Sequence, residues 1–473
     1  MNHLDKDILS IQQTRDLLKR AHQAQKVLAG FSQEKVDSIV EAMAVAGYRN
    51  AARLAELAVK ETGIGVVADK IVKNEFASKN VWEYIKNMRT AGIISEDKEK
   101  GIVEIAEPMG VIAGIIPTTN PTSTVIFKAI IAVKARCSIV MSPHPRAVEC
   151  SKEAARIMEE AAVSAGAPKG LVSCIENSTR EATQELMHNP MTAVILATGG
   201  SSLVKAAYSS GKPAFGVGPG NVPAFIERSA DIDRAVRDII SSKTFDNGTI
   251  CASEQAVVTE KVIADRVIET FKAHDCYFLS PDEISRVEKA VILPGGGVNP
   301  EVVGKSAVEV ARIAGIEVPG STKILIARMF GVGRSYPLSA EKLCPVLAFY
   351  IEEDWQKACE RCIEILQYGG LGHSLAIHSN DRNIIMEFAM KKPVFRILVN
   401  TPSSQGAIGY TTNLQPSLTL GCGSWGGNVT ADNVGPQHLI NRKRLAYSNA
   451  IACKYRYTME EIERAVERYL SAV

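Results

Sequence analysis

The sequence lacks an excess of either charge, a framework of paired cysteines and any long apolar run. Fifty-four Lys and Arg against 52 Asp and Glu leave a formal charge of +2 over 473 residues, so no overall field draws the chain to nucleic acid or to an anionic membrane. Small-molecule chemistry is the better expectation. Its ten cysteines, at 137, 150, 174, 251, 276, 344, 359, 362, 422 and 453, are scattered without regular spacing, which favours free thiols in a reducing compartment. Cys359 and Cys362 have no second pair and no adjacent histidine. With Ala358, Ile363 and Leu366 they fit a helical apolar pattern, so packing is expected of them and no metal site is expected anywhere. No segment approaches the ~20 apolar residues of a membrane span. The opening MNHLDKDILS has neither the positive end nor the apolar stretch of a signal peptide. A cytoplasmic protein is expected, and there is no internal repeat or low-complexity linker.

What is present is ordinary globular composition, 46% hydrophobic and 22% charged, in a chain too long for one core, since cores stop growing at ~250–300 residues. Leu17, Leu18, Ala21, Ala24, Val27 and Leu28 recur at helical spacing, as do Val36, Ile39, Val40 and Met43, so the first ~90 residues read as helical. Short apolar runs then alternate with helical stretches. The runs lie at 111–116, 138–141, 171–175 and 192–196, the helices at 123–136, 147–165, 179–188 and 201–210. This alternation predicts a parallel sheet flanked by helices. A second series at 255–258, 323–327, 346–351, 375–378 and 396–400 predicts a second α/β domain. Residues 1–242 are read as the dinucleotide-binding domain and 243–428 as the catalytic one. The segment 98–108, alternating apolar and polar, is read as an arm pairing outside its domain. The chain returns to that arm over 429–453, and a charged helix over 454–473 opens on the capping-box pair Thr458 and Glu461.

Four segments carry candidate chemistry. GVIAGIIPTTNPTS (110–123) is a buried strand broken by Pro117, and Asn120 follows with an uncharged amide. Taken alone, an Asn between prolines is most often a turn residue. VILATGGSS (194–202) runs a strand into Gly199 and Gly200 before a helix, whose free N–H groups suit a phosphate. The spacing is not GxGxxG, and a structural turn is at least as good a reading. AFGVGPGNVP (214–223) leaves little side chain to fill space and contains no acidic residue. TFDNGTICASEQ (244–255) presents Cys251 after an Asp-Asn-Gly turn. A thiolate there would be a nucleophile, although packing is the common fate of a cysteine.

Together with SPHPRA (142–147), EKLCPVLA (341–348), GLGHS (370–374) and LTLGCGSWGGN (418–428), these segments resemble, in order, the signatures of the CoA-acylating aldehyde dehydrogenases. These include the aldehyde half of bifunctional aldehyde/alcohol dehydrogenases. The likeness runs from about residue 15 to 447. It implies an aldehyde dehydrogenase fold: two doubly wound α/β domains and a small β arm that pairs subunits into dimers or tetramers. It implies that Cys251 attacks the aldehyde, that the Asn120 amide and the Cys251 N–H hold the oxyanion, and that CoA takes the acyl group. His373 would assist CoA. Pro117, Thr118, His144, Pro145, Thr198, Gly199, Gly200 and Gly218 would bind the cofactor, with Glu341 on the nicotinamide ribose. The hydrolytic relatives place a water-activating glutamate at the position matched by Gly218–Pro219–Gly220. Its absence favours thiol over water.

NAD is favoured over NADP by SPHPRA, although Arg146 suits a 2′-phosphate. Acetaldehyde is the first substrate expected. Arg334, Tyr336, Tyr410 and Thr411 lie where the sequence departs from the bifunctional pattern, and a secondary expectation is that they receive the tail of an anionic aldehyde such as sulfoacetaldehyde or succinate semialdehyde. The chain stops soon after LINRKRLAYSNA, so the alcohol dehydrogenase half is expected to be absent. The rivals are a hydrolytic aldehyde dehydrogenase and a noncatalytic assembly protein of a bacterial microcompartment, associated through a helix at 5–28.

Overall fold

The structure is a computed structural model that describes residues 5–448 and 457–472. Helices Lys6–Leu28, Gln33–Arg49, Ala51–Thr62 and Val67–Glu75 come first. In the first of these, Thr14, Leu17, Leu18 and Ala21 are buried, and the leucines and Ala21 share a core with strand residues Val111, Ala113 and Val140. That helix is therefore used inside the fold over its middle, while Ile8, Leu9 and Val27 remain exposed.

Strands Val172–Cys174, Ser138–Pro143, Val111–Ile116, Thr192–Thr198 and Ala214–Val217 make a five-stranded parallel sheet in that order. Val111–Ile116 and Ser138–Pro143 are buried along their whole length, as expected of strands covered by helices on both faces. Helix Pro121–Lys134 is buried at every position and forms the centre of the first core.

The second sheet has seven parallel strands: Cys276–Phe278, Ile324–Arg328, Val346–Glu352, Glu254–Glu260, Val222–Ile226, Leu375–His378 and Ile397–Val399. Val222–Ile226 lies near its middle. The expected division at 243 therefore moves to the stretch before Val222. The reason is that VPAFI is a fully buried strand whose apolar run is interrupted by Pro223, which obscured it beside the glycine-rich loop.

The arm is a three-stranded antiparallel sheet, Gly92–Asp97, Ile102–Pro108 and Ile440–Ala446, so a hairpin partner precedes the expected 98–108 segment. Lys443 pairs with Glu107 and Arg444 with Glu104 across it. Val434, Leu439 and Ile440 rejoin the first core. Helix Met459–Leu470 is capped by Thr458 and Glu461 and exposed throughout. Residues 449–453 of the expected arm, Cys453 among them, and 454–456 of the expected helix lie outside the described residues.

Candidate active site

The C-terminal ends of strands Val111–Ile116, Ser138–Pro143 and Thr192–Thr198 open on a cavity of about 540 Å³ between the two sheets, the place where open α/β sheets hold ligands. Pro117, Thr118, Asn120, His144, Pro145, Thr198, Gly199, Gly200, Gly218, Cys251 and Glu341 all line it, so the structure gathers these sequence-predicted residues at one site. Gly200 caps helix Ser201–Tyr208, whose first N–H groups suit an anionic group. The hydroxyls of Thr118 and Thr198 are buried without a partner, as donors and acceptors awaiting a polar ligand are. This wall fits a dinucleotide. His144 sits exposed at the rim, its Nδ1 accepting the Arg146 N–H at 3.1 Å. The Arg146 guanidinium turns toward the Thr62 carbonyl.

Cys251 is delivered by a turn in which Asp246 and Asn247 take φ of 49° and 53° and Gly248 takes 73°. Asp and Asn tolerate this left-handed region better than other side chains. The sulfur lies 3.2 Å from His373 Nε2, and His373 Nδ1 lies 3.1 Å from the Ser374 hydroxyl. Burial pushes the Cys251 thiol up to about 12, with Glu341 adding to it. Burial lowers the His373 imidazole to about 3, aided by the Arg396 guanidinium. At neutral pH the resting pair is thiol and neutral imidazole, and the thiolate nucleophile is not the resting form.

At Gly220 a Cβ would fall 2.0 Å from the Cys251 carbonyl oxygen and 3.2 Å from the His373 ring. The loop therefore has no room there for a side chain, and an imidazole stands beside the sulfur instead. Glu341 accepts the Gly220 N–H at 3.1 Å. Burial raises its carboxyl to about 7, against the Gly220 bond and the charges of Lys243 and Lys342.

Of the four residues expected to receive an anionic tail, none lines the cavity of Cys251. Arg334 lines a second cavity of about 770 Å³, which shares Pro219 and Glu341 with the first. Tyr336 packs over Gly331. Tyr410 and Thr411 are exposed, because Gly409, at φ 85°, turns the loop tightly against the Leu414 carbonyl. Instead Cys251 packs in a cluster with Ile250, Ile408, Leu418 and Leu420.

Lys70, Lys73, Asp246 and Arg396 escaped sequence reasoning. Lys70 and Lys73 share a face of helix Val67–Glu75, and both bond Asp246. Their three-residue spacing was the available signal. Arg396 is buried, donating to the carbonyls of His373 at 3.0 Å and Gly421 at 2.7 Å, and so ties the GLGHS and GCGSWGGN segments together. Of the cysteines left to packing, Cys344, Cys359 and Cys362 are buried in the second core.

The aldehyde dehydrogenase family profile matches residues 9–275. The chain is 37% identical over 435 residues to the acetylating succinate-semialdehyde dehydrogenase of Clostridium kluyveri, covering 92% of this chain and 96% of that one. It belongs to the acylating aldehyde dehydrogenase family. Members are oxidoreductases that use CoA as acyl acceptor. The chain is also 47% identical over 444 residues to the bifunctional aldehyde-alcohol dehydrogenase of Escherichia coli, covering 93% of this chain. It spans about half the length of that relative. The acetylating aldehyde dehydrogenase of Geobacillus thermoglucosidasius superposes with a TM-score of 0.93 at 53% identity, over 94% of this chain and 98% of that one. A Rhodopseudomonas palustris propionaldehyde dehydrogenase, solved with bound CoA and an acylated cysteine, superposes at 0.80 with 27% identity over 92% and 97%.

Proposed function

We propose that this acylating dehydrogenase oxidises a short, uncharged aldehyde with NAD(P)+ and CoA to the acyl-CoA, reversibly, through a thioester on Cys251. The observation that carries the reading is the Cys251–His373 pair, 3.2 Å apart, beside a glycine-rich loop, 214–223, that carries no water-activating carboxylate. His373 takes the thiol proton as sulfur adds to the carbonyl. The Asn120 amide and the Cys251 N–H face the oxygen that becomes negative, preorganised donors of the kind that speed acyl transfer. Nicotinamide, when bound, accepts the hydride, and Glu341 holds its ribose. His373 releases that proton to solvent, then takes the proton of the CoA thiol as that sulfur adds to the thioester, and returns it to the Cys251 thiolate that is displaced.

The apolar neighbours Ile250, Ile408, Leu418 and Leu420 support an acetaldehyde-like substrate over an anionic one. The arm supports pairing with a second copy, since Ile93 and Leu445 are exposed on it. The test is a product assay for NADH and thioester with acetaldehyde and succinate semialdehyde, with and without CoA. Turnover should require CoA and favour acetaldehyde. Sustained NADH formation without CoA would show water as the acceptor and sink the acylating reading.

A further inference from the structure

A carboxamide has two ends of nearly equal size, and one donates where the other accepts. Whichever end of Asn120 meets the developing oxyanion therefore decides between attraction and repulsion. Asn120 Oδ1 accepts from Lys73 Nζ at 2.6 Å. An ammonium group only donates, so the amide oxygen belongs on that side. Nδ2 is left on the other, 3.1 Å from the Thr119 hydroxyl and 3.4 Å from the Thr249 carbonyl. The second contact is long and leaves a hydrogen to give.

Lys73 is itself fully engaged. Its other acceptors are Asp246 Oδ2 at 2.5 Å and the Thr249 hydroxyl at 3.0 Å, three partners for three hydrogens. The Thr249 hydroxyl in turn donates to Asp246 Oδ2 at 2.7 Å. Lys70 bonds the same carboxylate oxygen at 2.9 Å and the Thr119 carbonyl at 2.8 Å. Burial alone raises the Asp246 carboxyl, and Lys73 and Lys70 overcome this and hold it below the usual range. Burial lowers the Lys73 ammonium to about 8 with Asp246 opposing, so it remains charged at neutral pH. One ammonium thus joins helix Val67–Glu75, the cap of helix Pro121–Lys134 and the turn that delivers Cys251. A buried ion cluster is a poor stabiliser compared with apolar packing, so stability alone does not account for this one.

The structure assigns Lys73 a positioning role: held by Asp246 and Thr249, it fixes and polarises the Asn120 amide so that Nδ2 meets the oxyanion formed as Cys251 adds to the aldehyde. A cation on Oδ1 draws electron density from the amide and strengthens the N–H donor. The inference rests on the thiohemiacetal reading above.

The test is a mutant cycle of Lys73→Met, Asn120→Ala and the pair, in the whole protein. It measures kcat, aldehyde and cofactor KM, and the isotope effect with aldehyde deuterated at C1. Asn120→Ala should lower kcat about 10²- to 10³-fold, as loss of one oxyanion donor does, and Lys73→Met about 10- to 100-fold by the same mechanism. Cofactor KM should stay unchanged in both, and the isotope effect should rise as hydride transfer becomes limiting. The pair should be no slower than Asn120→Ala alone, because Lys73 acts through that amide. Lys73→Gln keeps a neutral donor toward Oδ1 and should fall between the unsubstituted protein and Lys73→Met. If Lys73→Met does not fold, Lys73→Gln takes its place in the cycle. Losses that multiply in the pair, or a Lys73 variant that keeps full kcat while Asn120→Ala loses it, would overturn the assignment. Absence of CoA-dependent turnover in the unsubstituted protein would instead overturn the parent reading.

Discussion

The cavity wall at 117–119, 142–145 and 198–200 is built from prolines, glycines, small hydroxyls and one rim histidine, at the ends of three parallel strands. The opposite wall, around Cys251, is backed by buried ionisable groups: Lys70, Lys73, Asp246, Lys342, His373 and Arg396. In the proposed function the first wall meets the cofactor by backbone and shape. The second sets protonation states and aims one amide and one sulfur. The difference teaches where each kind of damage should appear: substitutions behind the sulfur should slow chemistry or loosen the fold and leave cofactor binding alone.

His373→Ala gives the largest effect expected. The imidazole is the base nearest the sulfur in the described structure, and positioned bases contribute about 10²- to 10⁴-fold. Steady-state CoA-dependent turnover should fall by that order, while cofactor affinity, followed by fluorescence titration, stays unchanged. A parallel loss of cofactor affinity would break the division between the walls.

Asp246→Ala should act on the fold. The carboxylate is fully buried and accepts from Lys70, Lys73, the Thr249 hydroxyl and the Val66 N–H. Removing it leaves two lysines uncompensated, a change that costs about 3–5 kcal/mol in buried pairs. The thermal unfolding midpoint should drop, and saturating cofactor should raise it by about as much as it raises that of the unsubstituted protein, because binding to the folded state is left intact. A midpoint like that of the unsubstituted protein would show that water, not Asp246, solvates the lysines.

The same contrast explains what could be read before the fold was known. Local sequence leaves a strand ending in ATGG or IPTTNP free to make either a phosphate site or a turn with its own backbone, and only the ordered resemblance favoured the cofactor. Cys251 and His373 were legible through the short segments that hold them, although nothing local shows that residues 122 apart meet at 3.2 Å. The lysines, Asp246 and Arg396 were not legible. Each looks like a surface charge until the helix, turn and strand that carry them are packed together, and only then does burial make their pairing obligatory. Tyr410 and Thr411 differ again: polar side chains in a loop suggested a binding role, and the structure holds them outside the Cys251 cavity, Tyr410 edge-on to Phe76 and Thr411 bonded to Thr401.

Glu341 offers the smallest effect and the finest test, because it stands where the two walls meet. Burial raises its carboxyl to about 7, so near neutral pH it passes between an acid and a carboxylate. In its proposed place at the ribose it is the better acceptor when ionised, and one hydrogen bond to a charged group is worth about 1.5–3 kcal/mol. Cofactor KM should therefore rise as pH falls through about 7, by roughly tenfold at the low end of that range. His373, at about 3, and the Cys251 thiol, at about 12, do not titrate in this window. Lys73 and Lys243, at about 8, titrate on its alkaline side. Glu254 is also raised to about 7 by burial, but it accepts the Ser403 N–H and does not line the cavity. Glu341→Gln should consequently flatten the acid limb of KM against pH and leave kcat for hydride transfer to follow Cys251 and His373. An acid limb that survives the substitution would move the titrating group off Glu341 and onto Glu254 or Lys128, the latter lowered to about 7 by burial beneath the Ile115 and Leu196 carbonyls.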